Sequence, residues 1–191
     1  MSAQNIVKAF TARRTQYQLS KALPADVTIE QVQSIVQDFV KHVPTSFNSQ
    51  TIRAVILTGA LHESVWQSVV EAIPTEYGKK RPTSAKEEAY GTVVFFDDDE
   101  AIKTITDKFP AYFNAVFPPT SNGAAQIGTW TVLSELGLGG HLQHYNGLVE
   151  KALAGKVPES WRVQAQLVFG VPVGTPAEKE FIDNEVKVLS E

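Results

Sequence analysis

The chain has 191 residues, 43% of them hydrophobic and 20% charged, a formal charge of −4 and no cysteine. That length suits one domain with a sizeable core, and the acidic balance argues against a nucleic-acid binder, which would carry a basic stripe. The missing cysteines exclude disulfides, thiol nucleophiles and Cys-ligated zinc or iron–sulfur clusters.

The start, MSAQNIVKAFTARR, is amphipathic and lacks the apolar stretch of a signal peptide. Thr28 and Gln31 have the spacing of a capping box. Behind them Ile29, Val32, Ile35, Val36, Phe39, Val40 and Val43 fall on one helical face, which predicts a helix over 28–42. Ile52 to Thr58 is β-branched and apolar and reads as a buried strand. Leu61, Val65, Trp66, Val69, Val70 and Ile73 return to helical spacing. GTVVFFDDD at 91–99 predicts a second strand, with Asp98 or Asp99 capping a helix that runs to Phe109. Asn122 to Leu136 is small and apolar on most sides, as a buried central helix would be. WRVQAQLVFG at 161–170 alternates, with Val163, Ala165, Leu167 and Phe169 on one face, and predicts a third strand. EVKVLS near the end offers a fourth, on this sheet or on another subunit's edge.

The order α-α-β-α-β-α-α-α-β, with three or four strands, fits an α+β sheet flanked by helices better than a doubly wound nucleotide fold. No repeat, low-complexity segment or linker divides the chain, so residues 1–191 form one domain. No apolar run approaches the roughly 18 residues of a membrane span. A soluble, cytoplasmic protein is expected.

Several short stretches have the residue types for binding chemistry. Arg13 and Arg14 with Thr15 offer many donors, suited to a phosphate, although an isolated RRT is more often a solvated helix end. Between the 28–42 helix and the strand at 52 lie Thr45, Ser46, Asn48, Ser49 and Gln50. Such side chains cap a helix and satisfy a turn, or they read the edge of a heterocycle rich in N and C=O groups. Gly137, Gly139 and Gly140 are either a helix C-cap or bare backbone set close to a flat ligand. They do not form GxGxxG, because position 142 is leucine. His141 and His144 have an i, i+3 spacing open to a metal, but no HExxH-like carboxylate accompanies them, and hydrogen-bonding histidines are the commoner reading. Lys179 lies in a Pro- and Gly-rich stretch. Phe109, Tyr112, Phe113 and Phe117 are either core packing or a mobile aromatic lid that favours flat acceptors.

Taken in order, RRT, PTSFNSQ, LGLGGHLQHYN and FGVP followed by Lys179 resemble the nitroreductase superfamily of FMN-dependent oxidoreductases. The resemblance spans about residues 5 to 182 and is strongest to the subgroup of fungal fatty-acid-modulation and bacterial copper-induced nitroreductases. It implies a nitroreductase-like fold with a small, mostly antiparallel sheet, and an obligate homodimer with two flavin sites at the interface. By the same likeness Arg13 and Arg14, with Thr15 beside them, grip the FMN phosphate or ribityl chain. Thr45, Ser46, Asn48 and Gln50 contact the flavin ring, largely from the neighbouring subunit. Gly139 and Gly140 bring backbone amides near N5, and Lys179 reaches the phosphate. Where the wider family often has a second basic residue two positions later, this chain has Phe181. The implied activity is ping-pong hydride transfer from NADH or NADPH through flavin N5 to a small aromatic acceptor, a nitroaromatic or quinone, in oxidative-stress response or lipid signalling. The flavin carries the reactivity, so no catalytic side chain is required. A sensor that binds FMN with little turnover is the alternative, and a scaffold that has lost the cofactor is a third.

Overall fold

The computed structural model describes residues 2–190. Its centre is a five-stranded antiparallel sheet of β1 (Leu19–Ser20), β2 (Ile52–Thr58), β3 (Gly91–Asp98), β4 (Gly139–Gln143) and β5 (Trp161–Pro172). The order is β1-β5-β3-β2, and β4 also pairs with β5. Seven helices cover the sheet: α1 (Ala3–Ala12), α2 (Ile29–His42), α3 (Gly59–Ala72), α4 (Glu76–Glu88), α5 (Asp99–Lys108), α6 (Phe117–Glu135) and α7 (Asn146–Ala152).

Strand β3 is buried on both faces, and its alternation divides the core in two. Val93 and Phe95 join Val32 and Val36 of α2 and Ala125 and Leu133 of α6. Val94 and Phe96 point the other way, to Val65, Trp66 and Val69 of α3, Ala85 of α4 and Val149 of α7. The result is three layers, helices on both faces of one sheet. Each fully buried Val, Leu or Phe side chain contributes roughly 1.5–3 kcal/mol.

Thr28 caps α2 through the complete capping box with Gln31. Asp98 caps α5, its carboxylate accepting from Glu100 N. Helix α6 begins at Phe117, five residues before the apolar pattern suggests, because Pro118 and Pro119 suit the first turn, where no intrahelical N–H is needed. It ends in a Schellman pair: Leu138 N–H donates to Leu133 O and Gly137 N–H to Ser134 O, with Gly137 at φ 80°. The C-cap reading thus holds for Gly137, while Gly139 and Gly140 open strand β4.

Four expectations are corrected. The sheet has five strands rather than three or four, because β1 and β4 are only two and five residues long and are defined by pairing with β5. The face assigned to β5 is broken by a bulge: Phe95 pairs with Ala165 and Phe96 with Val163, leaving Gln164 extra. Val163 therefore packs on the α3 side, and Leu167 and Phe169 on the α6 side. The segment EVKVLS has no strand pairing in this chain. Helix α4 was absent from the pattern because EYGKKRPTSAKEE holds Gly78 and Pro82 and little apolar periodicity. It is held tertiarily. Pro82 and Ala85 are buried, and the neutral His62 ring donates from Nε2 to Ala85 O at 2.9 Å. Its Nδ1 accepts from the Thr92 hydroxyl at 3.1 Å, and that hydroxyl accepts from Trp66 Nε1 at 2.9 Å. Burial keeps His62 neutral by lowering its pKa.

Candidate functional site

Helix α1 ends at Ala12 with Arg13 as its C-cap, so Arg13 and Arg14 follow its C-terminus, where the helix dipole favours cations. The chain then runs extended: Thr15 bridges Gly140 of β4, and Gln16 N–H donates to Gly140 O at 2.8 Å. This places Arg13, Arg14, Thr15 and Tyr17 on the wall of an open cavity of about 1530 Å³. Thr175 to Phe181 of the C-terminal segment form a second wall, fastened by Arg14 Nη2 donating to Ala177 O at 2.5 Å. The third wall is α4, with Lys80, Arg81, Ser84 and Glu88.

Five cations line this cavity, Arg13, Arg14, Lys80, Arg81 and Lys179, with three carboxylates, Glu88, Glu178 and Glu180. Among the described residues none of the five forms an ion pair, whereas the two arginines elsewhere do: Arg53 with Asp98, and Arg162 with Asp99 and Glu150. Arg13 stacks over Trp130 at 4.2 Å, and its Nε is buried without a hydrogen-bond partner. Burial first, and the Arg14 charge second, lower its pKa. Two adjacent guanidiniums with an unsatisfied donor fit a dianionic phosphate well. Lys179 lies 5.1 Å from the Phe181 ring, so the position without a second base supports the first.

The other expected site residues lie apart. Gly139 and Gly140 are buried in β4 and do not line the cavity. A Cβ on Gly140 would stand 2.8 Å from Val168 O, and one on Gly139 would stand 2.9 Å from Pro172 Cβ, so close packing alone requires both glycines. Beside them Trp130 Nε1 and His141 Nε2 are buried and without partners. His141 Nδ1 meets Gln143 Nε2 at 2.9 Å, and burial, then Arg81, push its pKa down to about 3. His144 is exposed beyond the strand, so the two histidines share no helical face.

The loop Thr45–Gln50 forms a second unit, also outside the cavity. Phe47, Asn48 and Gln50 all have positive φ, at 58°, 51° and 47°. Such conformations cost of order 1–3 kcal/mol each and persist only where surroundings fix them. Here Thr45 Oγ1 accepts from Gln50 N at 3.0 Å, Thr45 O from Asn48 N at 2.9 Å, and Gln50 O from Arg53 Nη1 at 2.7 Å. Phe47 stacks on Phe109 at 4.6 Å and approaches Phe113, which meets Phe117 edge-on. None of Phe109, Tyr112, Phe113 and Phe117 belongs to either core cluster, and Tyr112 is 73% exposed. The polar loop and the aromatic segment are therefore one surface.

Sequence reasoning missed Lys80, Arg81 and Tyr17. The signal was the run Lys79-Lys80-Arg81, the densest cationic stretch of the chain. In the structure Lys79 is paired with Glu76, and the next two residues line the cavity.

Known proteins agree with this architecture. The sequence profile described as the nitroreductase family matches residues 11–175, which takes in every expected site residue except Lys179. HBN1 of Saccharomyces cerevisiae is 52% identical over 186 residues, 96% of each chain. A crystal structure of a nitroreductase from Saccharomyces cerevisiae superposes with a TM-score of 0.85 at 45% identity, over 90% of this chain and 98% of that one. The nitroreductase CinD from Lactococcus lactis, solved with nicotinic acid and separately with 4-nitrophenol, is 34% identical in the former structure, with a TM-score of 0.81 over 93% of this chain and 95% of its own. In sequence and in its nitroreductase-like α+β fold, the chain belongs to the nitroreductase family.

Proposed function

We propose that this protein is an FMN-dependent oxidoreductase that takes hydride from NADH or NADPH and reduces nitroaromatic or quinone acceptors, acting as a cytoplasmic homodimer. The observation that carries the reading is the cavity of unpaired cations beside Arg13, whose buried Nε lacks a partner. A phosphate fits that donor set, and family members use FMN. When bound, FMN supplies the two-electron redox chemistry.

The chain's own part is to bind and orient. Arg13, Arg14 and Lys179 hold the phosphate, with Thr15 beside them, and Gly139 and Gly140 let the backbone approach the ring. Thr45, Ser46, Asn48 and Gln50 meet the ring from the partner subunit. That assignment agrees with a rigid polar loop that lies outside its own chain's cavity. Phe109, Tyr112, Phe113 and Phe117 form an apolar wall for a flat acceptor. The complexes of the Lactococcus relative with nicotinic acid and 4-nitrophenol support small aromatic ligands. Donor and acceptor occupy the site in turn, the ping-pong order. A groove of about 750 Å³ between α1 and α6, lined by Ile6, Phe10, Phe39, Ile127 and Val132, supports an apolar subunit interface. The setting proposed with this activity is oxidative-stress response or lipid signalling.

The test is an absorption spectrum of the purified protein, followed under argon by NADH and then NADPH. Bleaching of a yellow protein, and recovery of colour with a quinone or nitroarene, is the expected result. Bound flavin that neither donor bleaches would favour the sensor reading. A colourless protein that takes up no added FMN would overturn the cofactor assignment.

A further inference from the structure

We propose that Lys80 and Arg81 form a second anion site in the cavity, one that takes the phosphates of the nicotinamide nucleotide donor. The proposal rests on the reading of Arg13, Arg14 and Lys179 as the flavin-phosphate site. The cavity, at about 1530 Å³, exceeds the roughly 300–1,000 Å³ of a single small-ligand site. Its five cations, set among the three carboxylates Glu88, Glu178 and Glu180, stand on different walls. Arg13 and Arg14 follow α1, Lys179 lies in the C-terminal segment, and Lys80 and Arg81 project from α4.

Helix α4 is fixed for this purpose. Pro82 and Ala85 turn inward, and His62 ties the Ala85 carbonyl to the core. Arg81, Ser84 and Glu88, spaced i, i+3 and i+7, consequently face the cavity together. The preceding Lys79 is occupied by Glu76, but among the described residues neither Lys80 nor Arg81 meets a carboxylate. Arg81 is also ordered in advance, since its guanidinium stacks on the Tyr17 ring at 3.8 Å. A planar guanidinium held flat leaves its edge donors free for phosphate oxygens, and its ordering cost is already met before a ligand arrives. Tyr17 in turn rests on buried His141, with ring centroids 5.2 Å apart. This is a supported cation, unlike a solvated surface lysine.

The experiment compares wild type with Lys80→Ala, Arg81→Gln, Arg81→Lys and the control Lys79→Ala. It measures the Kd for FMN, the KM for NADH and NADPH, and calorimetric binding of NADP+, which requires no turnover. Loss of one charge-assisted phosphate contact predicts a rise of about 10- to 100-fold in KM and in the NADP+ Kd for Lys80→Ala and Arg81→Gln. Retention of FMN is expected to remain wild-type, Arg81→Lys to recover part of the loss, and Lys79→Ala to change nothing. A larger rise for NADPH than NADH assigns the 2′-phosphate, and an equal rise assigns the pyrophosphate. Weakened FMN binding with unchanged KM and NADP+ affinity would overturn the proposal and give the α4 wall to the flavin. No change in any constant would overturn it as well. A wild type that fails to hold FMN, yet binds NADP+ through Lys80 and Arg81, would refute the flavin reading and leave this one standing.

Discussion

Replacement of Arg13 and Arg14 by alanine, singly and together, is expected to cost more in cofactor affinity than in fold. Each guanidinium offers a charge-assisted bond to a phosphate, worth roughly 1.5–3 kcal/mol. The pair is therefore worth about 3–6 kcal/mol, or about 10² to 10⁴ in Kd. Folding of the FMN-free protein has less to lose. Arg13 gives up its stack on Trp130, about 0.5–2 kcal/mol, but loses a buried Nε without a partner and the repulsion of its neighbour. Arg14 gives up the bond to Ala177 O, so Arg14→Ala also frees the C-terminal segment and with it Lys179. The larger single effect on FMN is accordingly expected at Arg14. Flavin fluorescence titration gives the Kd, and thermal unfolding with and without FMN gives the linked stabilisation, which shrinks in the variants. Arg13→Lys, which keeps the charge but not the fork, is expected to fall between. A double variant that binds FMN within threefold of wild type would refute the phosphate assignment.

Other substitutions test other parts. Asn48→Ala is expected to leave the fold intact while changing flavin affinity or reduction potential, because alanine holds φ 51° at a cost of roughly 1–2 kcal/mol more than its ordinary conformation. An unchanged spectrum, affinity and potential would make the loop purely structural. Burial, partly opposed by the bond from Asn122 and reinforced by the Asp99 charge, raises the Asp97 pKa to about 6. The folded state thus keeps this proton at pH values where the unfolded chain releases it. The resulting stability is complete below about pH 3.8 and is lost as pH rises through about 6, a change of about 3 kcal/mol. Urea unfolding of Asp97→Asn across pH 4 to 7 should show this slope removed, and an unchanged slope would place the titration elsewhere. Gly140→Ala drives a Cβ against Val168 O and is expected to destabilise by about 1–3 kcal/mol. A wild-type unfolding midpoint would show that β4 gives way without cost.

The local rules written in the chain were sufficient for its regular elements. The Thr28–Gln31 capping box, the apolar stripe behind it and the β-branched runs at Ile52 and Gly91 each depend on neighbours within a turn or a pleat, so α2, β2 and β3 were legible. The order of RRT, SFNSQ and LQHYN along the chain likewise pointed to the family. Elements whose stability comes from distant residues were not legible. Helix α4 has no periodic stripe and exists because Pro82, Ala85 and His62 lock it to α3 and β3. The β5 bulge arises from its register with β3, and no spacing inside WRVQAQLVFG encodes it.

The same division separates the parts of the site. Arg13 and Arg14 could be singled out from their identity alone, whereas nothing local in the run Lys79-Lys80-Arg81 marked Lys80 and Arg81 as site residues. Only the packing of α4 against α3 brought them to the cavity, and only the pairing of Lys79 with Glu76 showed which of the three cations remain unpaired. The polar composition of residues 45–50 was plain in the sequence. Its left-handed backbone was not, because the conformation is imposed by Thr45, Arg53 and the Phe47–Phe109 stack rather than by any glycine. Sequence fixes what a residue can do within a few bonds of itself. Which residues meet across tens of intervening positions, and which charges are left unpaired when they do, depends on how the whole core closes around β3.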